Sequence, residues 1–196
     1  MAGIAALGQR VVDAYYHLPD RPKGKSVQVT VSASSFVPKP FTPFQWEPQD
    51  TIEMLHEKQN HLISSVTTKK IKCNWHDADT SFLEGVFARG DRRLGAVLLE
   101  AHKMGCKFDG WADFFDLSRW MQAFEHCGVD PSFYANRRRS FDEVLPWDHL
   151  DYGVTKAFLM RECQTAYQNR TTPNCREKCA GCGASCWKVG VCVDNR

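Results

Sequence analysis

The chain has 196 residues, 43% of them hydrophobic and 12% aromatic. That is enough to build a real core, which excludes wholesale disorder, and the length fits one domain or one plus an appendage. A net charge of +2 is too small to argue for nucleic acid, so Arg89-Gly-Asp-Arg92-Arg93 and Arg137-Arg138-Arg139 read as solvated helix ends, with phosphate contact as the other reading.

The opening residues Met1 to Arg10 lack a basic region followed by a long apolar run, so they do not read as a signal peptide. No stretch approaches the roughly 18 apolar residues of a membrane span. The expectation is a soluble, cytoplasmic chain without a membrane partner, in which clustered cysteines read as metal ligands before disulfides. Ile4, Leu7, Val11, Val12 and Tyr15 have helical spacing, and the Pro19 to Gly24 loop ends that helix. From Ser26 to Ser34 apolar and polar residues alternate, which predicts a strand with one polar face. A stiff, proline-rich loop follows, Phe36 to Trp46. Asp50-x-x-Glu53 has the pattern of a capping box for a helix with Ile52, Leu55, Leu62, Ile63 and Val66 on one face. A second strand, Lys70 to His76, completes a βαβ unit with parallel strands. An open sheet with helices on both sides needs two apolar faces, so the polar faces here fit a barrel lumen better.

Past His76 the pattern turns helical. Ser81-x-x-Glu84 is a second capping-box pattern, Leu94, Val97, Leu98 and Ala101 form a stripe ending near Gly105, and Leu117, Trp120, Met121 and Phe124 form another ending at Gly128. Asp130-Pro131 reads as an N-cap with proline at the first helical position. Ser140-x-x-Glu143 precedes Leu145-Pro-Trp-Asp-His149, and a last helix is predicted over 154–169. Phe108-Asp-Gly-Trp111 and Leu145 to Asp148 read as aromatic loop anchors.

Cys175-x3-Cys179-x2-Cys182, with Cys186 four residues on, concentrates thiols in a polar, glycine-containing segment that cannot bury them as a core. The first three have the spacing of the radical SAM cluster motif. A fourth thiol within reach fits closed ligation instead, of a 4Fe-4S cluster or of zinc, and Cys192 is a spare ligand. Unligated reduced cysteines are the plain alternative. Cys73, Cys106, Cys127 and Cys163 stand singly and read as core. The strand-end pair His76 and Asp77 could serve acid–base chemistry or simply cap the next helix. Arg89, Asp91 and Arg92 read as an ion-pair network across a break at Gly90, with a carboxylate clamp as the other reading, and Arg89 and Asp91 join His76 and Asp77 as candidate catalytic residues.

Several strings together resemble one family. Phe36 to Trp46, Ser81-Phe-Leu-Glu-Gly-Val-Phe-Ala-Arg-Gly-Asp-Arg-Arg93, Lys107-Phe-Asp-Gly-Trp111, Leu145-Pro-Trp-Asp-His149 and the cysteine-rich end look like the C-terminal half of uncharacterised radical SAM proteins with an N-terminal cobalamin-binding-like domain. Phe36 to Pro43 is also similar to a late barrel strand of radical SAM methylthiotransferases. The resemblance implies an α/β fold in three parts. Residues 1–76 would be the last βα units of a partial, TIM-like radical SAM barrel, 77–170 a mainly helical extension, and 171–196 a tail holding an accessory centre. It further implies that the SAM-cluster cysteines and the cobalamin-binding-like domain belong to a missing N-terminal portion of the same enzyme. This polypeptide alone is then not expected to generate a radical. In that frame S-adenosylmethionine, and cobalamin where used, belong to the full-length parent, and Ser34, Lys39 and Thr42 are candidate cofactor contacts. A stand-alone zinc or iron–sulfur interaction module without catalysis is the alternative.

Overall fold

The computed structural model describes residues 1–184. Among them the chain is α/β, with seven helices and one two-stranded parallel sheet. Packing divides it into two compact units, one made of Met1–Val37 with Asp50–Glu84 and the other of Pro38–Gln49 with the chain from Gly85 onward. No helix of the described residues is long and apolar enough to cross a membrane.

The first unit runs α1 (Ala2–Tyr16), β1 (Val29–Ala33), α2 (Ile52–Ser64), β2 (Ile71–Trp75) and into α3 (Ala78–Ala88). β1 and β2 pair in parallel, with Thr30 opposite Lys72 and Ser32 opposite Asn74. Those four residues are all exposed, while Val29, Val31, Ala33, Ile71 and Cys73 are partly or fully covered. α1 packs on the other side of the sheet, but not through the stripe its large residues predict. Of that stripe Val12 is buried and Ile4 and Tyr15 are half-buried, but Leu7 and Val11 are exposed, and Ala5 and Gly8 are buried in their place. Closeness explains the exchange: a Cβ on Gly8 would sit 3.1 Å from Val31 Cγ1, so only small residues let this helix approach.

The helix caps are shifted from their sequence patterns. Thr51, not Asp50, caps α2, its Oγ1 accepting from the Met54 N–H at 3.3 Å. Asp50 is engaged by Lys58 Nζ at 2.5 Å. α3 begins one turn before Ser81, capped by Asp77, and the Ser81 hydroxyl donates back to the Asp77 carbonyl at 2.6 Å. The interior of α2 carries Leu55, Gln59 and Leu62. Gln59 is a buried polar residue on an otherwise apolar face, satisfied by donating to the His76 carbonyl at 3.0 Å.

The second unit contains α4 (Leu94–Lys103), α5 (Leu117–His126), α6 (Ser132–Ala135) and α7 (Lys156–Tyr167). α4 and α5 pack on each other. Both end where the sequence places glycine: Gly105 and Gly128 take left-handed φ of 92° and 62°. The Cys106 N–H then reaches Ala101 O and the Val129 N–H reaches Phe124 O, both at 3.0 Å, which closes each helix in a Schellman turn. A core of Trp46, Leu145, Trp147, Leu159 and Cys163 joins the proline-rich loop to α7. Leu145 and Trp147 are thus buried anchors, whereas Phe108, Trp111 and Phe114 are 56–67% exposed, with Trp111 edge-on and Phe114 tilted against Phe108. Of the single cysteines, Cys106 and Cys163 are buried and Cys73 and Cys127 half-buried.

Candidate functional site

The carboxyl ends of β1 and β2 open into a cavity of about 200 Å³. Ala33, Ser34, Ser35 and Phe36 line it from β1, Trp75 from β2, and Asp50, Lys58 and Gln59 from α2 and its approach. In parallel α/β sheets this edge is where ligands bind, because successive loops converge there. Ser34 therefore lies at the expected edge. Lys39 and Thr42 belong to the second unit, where the Thr42 hydroxyl donates to the Lys39 carbonyl at 2.8 Å in a local turn.

His76 and Asp77 follow β2 directly, and both are exposed. Asp77 Oδ1 accepts from the Thr80 N–H at 2.9 Å and from the Thr80 hydroxyl at 3.0 Å. Its carboxylate thus serves the helix terminus. Asp79, two residues on, has its carboxyl pushed up by burial and then by the neighbouring Asp77 charge.

The arginines of the second unit depart furthest from their reading as solvated ends. Arg89 is fully buried and, among the described residues, hydrogen-bonds to no carboxylate. Its Nη1 donates to Ala135 O at 2.8 Å and its Nη2 to Arg137 O at 3.0 Å, while its own carbonyl accepts from Arg139 Nη2 at 2.7 Å. Burial, then the Arg139 and Arg137 charges, draw the Arg89 guanidinium down to about 10. Arg139 is buried as well, its guanidinium 5.1 Å from the Trp147 ring centroid, with Nε and Nη1 unbonded. Arg137 makes a two-pronged pair with Glu143, and Arg138 meets Glu47 at 2.6 Å and the Tyr167 hydroxyl at 3.0 Å.

Asp91 pairs with neither Arg89 nor Arg92. It is held by Arg93 at 2.7 Å, with the Tyr134 hydroxyl donating at 3.1 Å. Chiefly through the Arg93 hydrogen bond, its carboxyl falls to about 2. The sequence reading placed the ion pair correctly in this segment but on the wrong arginine. A one-residue offset at a bend is invisible to pattern. Beside this pair runs a groove of about 770 Å³ between Gly90-Asp91-Arg92 and Val144 to His149. The spacing of two separate motifs did not reveal that they face one another.

Cys175 and Cys179 are exposed and Cys182 is half-buried; Cys186 and Cys192 lie outside the described residues. The Gly181 N–H points at Cys179 Sγ at 3.4 Å. Gly181 and Gly183 take left-handed φ of 66° and 100°. The Cys182 carbonyl accepts from the Thr155 N–H at 2.9 Å and the Ala180 carbonyl from Arg161 at 2.5 Å, which docks the turn on the start of α7. An N–H directed at sulfur and glycine-borne left-handed turns both suit a thiolate ligand. Among the described residues, however, no three His, Cys, Asp or Glu side chains are grouped to hold a metal ion. No family model, curated protein or solved structure matches the chain.

Proposed function

We propose that this chain is the C-terminal part of a radical SAM iron–sulfur enzyme, contributing late βα units of its barrel and an accessory cysteine-ligated centre. The observation that carries the reading is the parallel pair itself. Parallel sheets need cover on both faces, yet Thr30, Ser32, Lys72 and Asn74 present an exposed polar face in register. A barrel lumen uses such a face, and the cavity at Ser34 then lies at the catalytic end. The exposed Leu7 and Val11 of α1 are suited to a neighbouring βα unit. In this reading Cys175, Cys179, Cys182 and Cys186 would hold the centre, which when bound supplies electron transfer or structural closure. The residues of this chain contribute the Gly181 N–H at the Cys179 sulfur and the anchoring of the turn by Thr155 and Arg161.

Anaerobic purification with iron, sulfide and zinc analysis tests the centre. Expected are about four irons and four sulfides per chain, lost in Cys179→Ser and Cys182→Ser. Zinc at one per chain would favour the non-catalytic interaction module, whose support is the compact second unit with its own core. Neither metal would remove the accessory centre altogether. The barrel half of the reading has a separate test. Open strand edges and an uncovered face promote pairing between chains, so sedimentation velocity should show association rising with concentration. A monomer that unfolds in one cooperative transition would contradict it.

A further inference from the structure

Independently of the metal tail, we infer that the groove between Gly90–Arg92 and Val144–His149 binds a small amphipathic oxyanion, a carboxylate or phosphate head on an apolar stem. The charges around it are unequally satisfied. Asp91 is occupied by Arg93 and Tyr134. Asp148 is occupied by Lys156 at 2.6 Å and by the Leu145 N–H at 2.9 Å. Arg92 and His149 line the same groove, are exposed, and among the described residues make no ion pair or side-chain hydrogen bond. With both acids compensated, the free charge left in the groove is the Arg92 guanidinium, whose planar fork matches a carboxylate or phosphate.

Two further observations favour an anion. Next to the groove, Arg89 and Arg139 are buried with no carboxylate hydrogen-bonded to them among the described residues, and three of their nitrogens (Arg89 Nε, Arg139 Nε and Nη1) are unbonded there. Glu143 acts on both only through space, and buried cations bonded to carbonyls raise the local potential in a medium that screens them poorly. The opposite wall offers apolar surface beside Asp148 and His149: Val144 is 83% exposed, between Glu143, which is tied to Arg137, and the buried Leu145. The volume of about 770 Å³ falls within the range of small-molecule sites. Arg92 takes the head, His149 supplies a ring nitrogen to it, and Val144 with Pro146 receives the stem.

Equilibrium dialysis of the full chain against hexanoate and hexyl phosphate, with acetate and inorganic phosphate as stemless controls and sodium chloride holding ionic strength constant, tests this. Saturable binding of at least one hexyl compound is expected, tighter than its stemless control, and the stronger of the two identifies the head group. Arg92→Ala should weaken binding about 10-fold or more, the scale of one charge-assisted two-pronged contact. Arg92→Lys should restore only part of it. Val144→Asp, at a site too exposed to disturb the core, should weaken binding comparably by setting a negative charge where the stem lies. Uptake that is linear in concentration, equal with and without the stem, or unchanged in both Arg92→Ala and Val144→Asp would overturn the site.

Discussion

Replacing Arg89 by alanine should destabilise the second unit by about 3–6 kcal/mol, the sum of two charge-assisted hydrogen bonds at about 1.5–3 kcal/mol each. Arg89 closes the turn after α6 by donating to the carbonyls of Ala135 and Arg137. Without it those acceptors lose their donor in a site sealed from water, and the void left behind adds its own cost. The charge itself is a burden to the fold: burial lowers the guanidinium pKa to about 10, the direction that disfavours the cation. Hydrogen bonding therefore has to outweigh desolvation. Arg89→Met separates the two effects, since it restores most of the volume without donors. Urea unfolding followed by tryptophan fluorescence on dilute protein should place Arg89→Met between wild type and Arg89→Ala. A methionine variant as stable as wild type would show that the carbonyl clamp contributes nothing net.

Trp147→Ala should cost a similar amount, about 3–5 kcal/mol, as expected for deleting a large buried aromatic. Trp147 is 6% exposed, packs with Trp46, Leu145, Leu159 and Cys163, and donates its indole N–H to Gln45 Oε1 at 2.6 Å. Gln45 is itself buried, and the same oxygen accepts the Phe41 N–H at 3.0 Å. One amide thus fixes both the proline-rich loop and the Leu145–Asp148 segment. Trp147→Phe retains an aromatic ring but leaves Gln45 short of one donor, so a loss of about 1–2 kcal/mol is expected. Urea midpoints for the two variants check this. An alanine variant within about 1 kcal/mol of wild type would remove Trp147 from its place as the anchor of this core.

Local pattern carried the element order well. Alternation over Ser26–Ser34 and Lys70–His76, with a helix between, predicted the parallel pair found at Val29–Ala33 and Ile71–Trp75, and Gly105 and Gly128 predicted two helix ends. What pattern missed has physical causes. α1 buries Ala5 and Gly8 because approach distance, not side-chain size, governs its contact with Val31. Gln59 is buried because the end of a strand offers it a carbonyl. Arg89 and Arg139 are buried because carbonyls from the turn after α6 and from Arg89 itself receive them. None of those acceptors is encoded near the residue it captures. The exposed Phe108, Trp111 and Phe114 show the converse: an aromatic string predicts an anchor only when the fold brings something to cover it.

The interleaving of the two units bears on how the chain is made. Pro38–Gln49 is synthesised between β1 and α2 yet belongs to the later unit, and its Gln45 waits for a tryptophan 102 residues downstream. Closing so long a loop adds only a slowly growing entropic term, but on the ribosome it imposes a delay. Trp46 and its neighbours emerge long before Trp147 exists, in a loop whose flanking segments can already pack together as the first unit. Vectorial synthesis would then leave an apolar, proline-stiffened loop open to holdase chaperones until the last third of the polypeptide arrives. No single cut can separate the two units without stranding that loop.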